Sequence, residues 1–193
     1  MKRLLWTAVL IGSRLWAADS FFESTEHKFD LIQREAVPPG RSVSFTAPEL
    51  SGWARIKIPM LLPQGVRQPQ IEFGSGTAEG HALIDFVKLR RAKGADPGWL
   101  EGKLLEGERP VDVSLRVESA NGQCTVYVTR VAISGIGVSG SFLDFLIKGF
   151  FLPLYPDAKI GTPFDLAFHI DRIELRPDAA RVVIRPPAYR ARR

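Results

Sequence analysis

The stretch from Ser139 to Pro156, SGSFLDFLIKGFFLPLYP, is apolar almost all the way round. Phe142, Leu143, Phe145, Leu146, Ile147, Phe150, Phe151 and Leu152 leave only Asp144 and Lys148 as a polar stripe. Those two stand four residues apart, acid before base, the favourable order for a helical pair. Ser141 followed by Asp144 resembles a capping box, and Pro153 marks the stop. A helix of this kind is buried or it touches lipid. At roughly a dozen residues it is too short to span a bilayer. The rest of the chain reads mainly as strands, and their apolar faces are the natural cover for it.

The clearest strands flank Asn121-Gly122, the strongest short hairpin signal there is. Val111, Val113, Leu115 and Val117 alternate with Asp112, Ser114, Arg116 and Glu118. A two-residue turn pairs Val117 with Val126 and Leu115 with Val128. The same register would then set Arg130 on the apolar face. A bulge near Thr129-Arg130 is therefore expected, returning Val131 and Ile133 to the inside. In the last part of the chain Phe164, Leu166, Phe168 and Ile170 alternate with Asp165, Ala167, His169 and Asp171. The phase slips at Asp171-Arg172, Ile173 and Leu175 continue the face, Arg176-Pro177-Asp178 turns, and Val182 and Ile184 return.

Earlier, Ile71 and Phe73, then Ala82, Ile84 and Phe86, lie on either side of Gly74-Ser75-Gly76 and read as a hairpin. Residues 90–110, with Gly94, Pro97, Gly98, Gly102, Gly107 and Pro110, read as a loop anchored by Trp99-Leu100. Thr46-Ala47-Pro48-Glu49 is a helix start, with Thr46 as cap and Glu49 completing a capping box. Leu50, Trp53 and Ala54 supply one face of a helix over about 47–57, ended by Pro59 and Pro63. Phe29, Leu31 and Ile32 read as a first strand or lead-in, and Val37-Pro38-Pro39-Gly40 as a turn. The expected class is α+β: a curved, bulged antiparallel sheet wrapped on one apolar helix, plus a short N-terminal helix. One apolar face per strand suits a sheet packed on one side.

Met1 to Ala18 reads as a secretory signal peptide: Lys2 and Arg3, an apolar run from Leu4 to Gly12, and a small-residue end at Ala17-Ala18. Its removal takes away Lys2, Arg3 and Arg14 and no acid, so the formal net charge falls from +5 to +2. The basic pI then says little about nucleic acid, and no cluster of basic and aromatic residues suggests base stacking. About 175 residues remain, enough for one domain over 19–185, followed by a basic tail over 186–193. That tail, ending Arg190-Ala191-Arg192-Arg193, is either a solvated end or a weak contact with anionic headgroups at a membrane surface. The single cysteine, Cys124, cannot form an internal disulfide and reads as a buried thiol. The expected place is the periplasm or the outside of the cell.

Little here carries reaction chemistry. Gly135-Ile136-Gly137-Val138-Ser139-Gly140 matches G-x-G-x-x-G, but its flanking strands are hairpin partners and not a parallel unit around a crossover helix. It reads as a strand-to-helix corner in which glycines permit unusual backbone angles, with no cofactor. His27, His81 and His169 are scattered, and none has metal-site spacing. Ser75 lies in Gly74-Ser75-Gly76, which is not a nucleophile elbow. Asp85 sits within an apolar run, as a buried carboxylate with a partner or an acid at a strand edge. No catalytic residue, cofactor site or metal site is read from the sequence.

These features come in a definite order: Thr46-x-x-Glu49-Leu50, Leu62-Pro63-x-Gly65-Val66, a hairpin ending Ile84-Asp85-Phe86, the Asn121-Gly122 hairpin, the apolar helix, and Pro163-Phe164 opening the last hairpin. It resembles the LmeA-like periplasmic phospholipid-binding proteins and, more distantly, the tubular lipid-binding (TULIP) and AsmA-type domains, over residues 43–185. The resemblance implies acyl chains lodged between sheet and helix, and no catalysis. The expected ligand-binding residues are Phe142, Phe145, Leu146, Phe150, Phe151, Leu154, Phe164 and Phe168, and the expected partner is lipid or an apolar small molecule. The alternative is a structural or protein-interaction module of the cell envelope whose loops close the core.

Overall fold

The computed structural model describes residues 6–61, 65–92, 106–140, 143–144, 147–148 and 160–186. The fold is mixed α+β with a large antiparallel sheet. Helix α1, Trp6–Gln33, leads into strand β1, Ser42–Phe45, and helix α2, Ala47–Leu61. Strands β2, Val66–Phe73, and β3, Thr77–Asp85, precede helix α3, Phe86–Ala92. Strands β4, Glu108–Ala120, β5, Gln123–Ile133, and β6, Ile136–Val138, follow. Strands β7, Phe164–Asp165, β8, Ile170–Leu175, and β9, Ala180–Ile184, complete the order. The larger sheet runs β2-β3-β4-β5-β6, with β7 also pairing β5, and the smaller runs β1-β9-β8.

The β4–β5 hairpin has the expected register. Val117 faces Val126, Leu115 faces Val128, and a shift between Ser114 and Leu115 leaves Thr129 unpaired, so Val113 faces Val131 and Val111 faces Ile133. Asn121 and Gly122 take φ of 54° and 80°, both positive as a type I′ turn needs. The glycine-rich corner after β5 repeats the device. Ile133 pairs with Ile136 across Ser134-Gly135, whose φ values are 51° and 79°. The first glycine of that G-x-G-x-x-G run thus closes a hairpin.

The two sheets meet where the hairpin tips lie against β8. A second register shift, between Ile170 and Arg172, makes Asp171 the bulged residue, at the predicted phase slip. The Gly122 N–H donates to the Asp171 carbonyl at 2.6 Å, the Ile173 N–H to Ser119 Oγ at 2.9 Å, and the Gly76 N–H to the Leu175 carbonyl at 3.0 Å. The bulge frees a carbonyl from the ladder and turns it towards the neighbouring sheet.

Several expectations are corrected. Phe29, Leu31 and Ile32 are helical, because Phe21, Thr25, Phe29 and Ile32 recur at helical spacing along α1. Phe29 stacks on Phe45 at 4.8 Å and meets Trp53 edge-on at 5.3 Å. α1 and α2 approach closely at Gly52, where a Cβ would stand 2.8 Å from the Phe21 Cβ. Pro59 does not end α2, which runs two residues further to Leu61. So near the end, the lost N–H and the ring clash disturb only the last turn. Phe86 opens α3 and does not continue β3. The cause is Asp85, whose Oδ1 accepts the Lys88 N–H at 2.9 Å and so caps the helix. The supposed loop over 90–110 contains the end of α3 and the first residues of β4, while residues 93–105, with Trp99 and Leu100, lie outside the described residues. Phe168 and His169 take φ of 54° and break the strand expected over 164–171, leaving only Phe164–Asp165 and the start of β8 extended.

Most of the apolar segment 139–156 lies outside the described residues. Residues 143 and 144 are α-helical, and 147 and 148 lie in a wider π turn. Leu143 and Ile147 are half-buried, whereas Asp144 and Lys148 are exposed, as the polar stripe requires. Among the described residues no helix is long and apolar enough to cross a membrane.

Candidate apolar ligand site

One face of the larger sheet lines a partly open apolar cavity of about 290 Å³. Val111, Val113 and Leu115 enter it from β4, and Val126, Val128 and Val131 from β5. These are the alternating residues of the two strands, and the β-bulge at Thr129 keeps them on one face. Without it Arg130 would replace Val131 and bring a charge into the cavity. Ile84 from β3 and Phe86 at the start of α3 close one end. Leu143 and Ile147, from the segment after β6, and Ile160, beside β5, complete the described lining. Ile160 is held there by a parallel bridge to Val126, and the Gly161 N–H donates to the Val126 carbonyl at 2.8 Å. Phe86 and Val111 are buried, with Ile84, Val113, Ile133 and Val138 packed on them as a firm base.

Every described side chain lining this space is apolar. Two other hollows differ in kind. One, of about 500 Å³, is bordered by Arg67, Asp85, Lys88 and Glu108, and the other, of about 340 Å³, by Glu35, Phe168, His169 and Arg185. Water solvates such rims well, whereas the apolar cavity favours an apolar occupant.

Cys124 lies on β5 beside the cavity-facing residues and is 2 % exposed. Burial pushes its thiol up, against a smaller opposing effect of the Ser119 hydroxyl. A protonated buried thiol is a poor nucleophile. The other buried titratable groups are structural. Asp85 caps α3 and pairs with Lys88 at 3.1 Å. Glu49 joins α1 to α2: it accepts from Ser24 Oγ at 2.9 Å, Lys28 Nζ at 2.6 Å and the Thr46 N–H at 2.9 Å. Burial alone would raise the Glu49 carboxyl, but the bonds from Lys28, Thr46 and Ser24 outweigh it and hold the group at about 2.

Of the residues expected to bind ligand, Phe142, Phe145, Leu146, Phe150, Phe151 and Leu154 lie outside the described residues. Phe164 is half-buried on β7, paired with Cys124, and is not among the cavity-lining residues. Phe168 stands away from the cavity, 43 % exposed beside His169 and Ile32, because its left-handed backbone turns it out of the strand alternation. The described part of the cavity wall is made largely by the apolar residues of β4 and β5, which the alternation in the sequence places on the inner face. The usable signal was the bulge, which keeps an unbroken apolar face across two strands.

On the opposite face of the same sheet, Glu72, Glu79 and His81 hold one possible ligand atom each within 4.8 Å of one another. No spacing along the sequence unites them; the β2–β3 register does. Compared with protein-family models, with curated proteins and with solved structures, the chain shows no significant match.

Proposed function

We propose that this protein binds lipid, or another apolar molecule, by lodging hydrocarbon in the cavity between the sheet and the apolar segment after β6, and that it performs no chemistry on it. The observation that carries the reading is the cavity itself, whose described lining is apolar throughout and includes Leu143 and Ile147. Hydrocarbon entering such a space leaves water and gains about 25 cal/mol for each Å² of apolar surface covered. On this reading the apolar segment, expected from its sequence to be a helix, is what the sheet closes on. The resemblance to LmeA-like proteins points the same way and makes phospholipid the first ligand to try. Export belongs to the same reading, with Met1 to Ala18 as the leader and the basic tail touching anionic headgroups.

Filling the cavity tests the proposal. Val113→Phe and Val128→Phe each place a ring where the ligand would lie, and a pre-existing space accepts added volume better than a packed core. Mass spectrometry of co-purified lipid, and transfer of a fluorescent phospholipid or fatty acid from vesicles, should show binding by the parent protein. Binding should fall at least tenfold in the filled variants while circular dichroism stays native. A folded parent that takes up no apolar molecule would sink the proposal and favour the closed-core envelope module.

A further inference from the structure

The outer face of the larger sheet carries a side-chain cluster unrelated to the cavity. Glu72 on β2 and Glu79 on β3 are register partners, so two carboxylates stand directly opposite one another. Like charges in that position repel and weaken the pairing of the strands. Among the described residues neither glutamate has a lysine or arginine partner; the one charged contact is His81 Nε2 to Glu79 Oε2 at 3.9 Å. His81 lies two residues along β3 from Glu79 and therefore on the same face. Its own register partner on β4 is Asp112. Asp112 Oδ1 stands 2.7 Å from His81 Nδ1, which directs Nε2 towards the glutamates.

We propose that Glu72, Glu79 and His81 bind a divalent transition-metal ion, with zinc as the type case, and that Asp112 acts as the positioning residue for His81. Two features support this beyond proximity. First, a carboxylate on the far ring nitrogen is the usual partner of a metal-bound histidine, since it fixes the tautomer and the ring orientation. Second, one imidazole with two carboxylates suits zinc and its neighbours, and three protein ligands leave room for water. Bonds of about 2.1 Å in a tetrahedron set ligand atoms about 3.4 Å apart. The three atoms already lie within 4.8 Å, and rotation of the two exposed glutamates closes the remainder. A bound dication replaces the repulsion between Glu72 and Glu79 with a link between β2 and β3.

The test is calorimetric titration of zinc chloride into metal-free, untagged full-length protein, with cobalt as a spectroscopic substitute. One equivalent should bind saturably and raise the melting temperature. His81→Ala and Glu72→Gln should each weaken binding at least tenfold, and Asp112→Asn about tenfold through loss of orientation. Glu72→Gln should also raise the melting temperature of the metal-free protein, because it removes the facing charge. Val113→Phe, on the other side of the sheet, should leave zinc affinity unchanged. No saturable uptake, or uptake indifferent to His81→Ala, overturns the assignment.

Discussion

Glu49 shows how much one side chain can organise. At 9 % exposure it is both the capping-box acid of α2 and the acceptor for Ser24 and Lys28 of α1. Its charge therefore holds two helices together, and the effect depends on pH. The folded carboxyl is held at about 2 against an ordinary value of 4.5. A depressed acid stabilises the fold fully above its unfolded value and loses that contribution as the pH falls through its folded value. Glu49→Gln should cost about 2 kcal/mol at neutral pH, the scale of lost charge-assisted hydrogen bonds. In urea titrations the gap between parent and variant should close as the pH falls from 4.5 towards 2. A gap that stays constant over that range would remove the charge from the explanation.

Among the elements, the β4–β5 hairpin has the most to do. Its strands supply six of the cavity's side chains, its bulge keeps Arg130 out of the cavity, and its tip docks the smaller sheet through Gly122 and Ser119. The tip depends on Gly122, whose φ of 80° suits glycine and strains a β-branched residue. Gly122→Val should destabilise the protein by roughly 1–3 kcal/mol, the cost of holding such a residue in the left-handed region. The new Cβ would also meet the Arg185 guanidinium, which is the free end of a flexible side chain and can move aside. An unchanged melting temperature would contradict the turn. The same hairpin was the most legible part of the chain. Asn121-Gly122 set the turn, the valines set the faces, and the one misplaced charge, Arg130, revealed the bulge. Helix α3 was not legible, because its seven residues are too few to show a period and its start rests on the single cap Asp85.

Among the described residues two sheets are present, with α1 and α2 packed together and α2 against β2. α2 lies along β2, where Ser51 Oγ accepts the Ile71 N–H at 2.8 Å and so covers an edge strand. α1 packs on α2 through Phe21, Phe29 and the Glu49 cluster. The proposed cleavage after Ala18 falls inside α1, upstream of these contacts, so the part that holds α2 would remain after cleavage. Intact mass of the protein from its native host should therefore give a chain starting near Asp19, and a full-length mass would refute the leader.

The sequence by itself determined what is local. Turn residues, caps and period-two alternation act within a few neighbours, so the β2–β3, β4–β5 and β8–β9 hairpins, the start of α2, the bulge near Thr129 and the slip at Asp171 could be read directly, whereas the β5–β6 hairpin was not. Tertiary structure decided what depends on distant partners. The helical spacing of Phe21, Thr25, Phe29 and Ile32 is local, and α2 and β1 supply the surface on which that face packs. Phe168 left the strand because its backbone turns there, which no alternation of residue types reveals. The cavity exists only once β3, β4 and β5 share a face and Leu143, Ile147 and Ile160 come up to it. Glu72, Glu79, His81 and Asp112 are brought together by strand register alone, since residues far apart in sequence become neighbours only when the ladder that pairs them has formed.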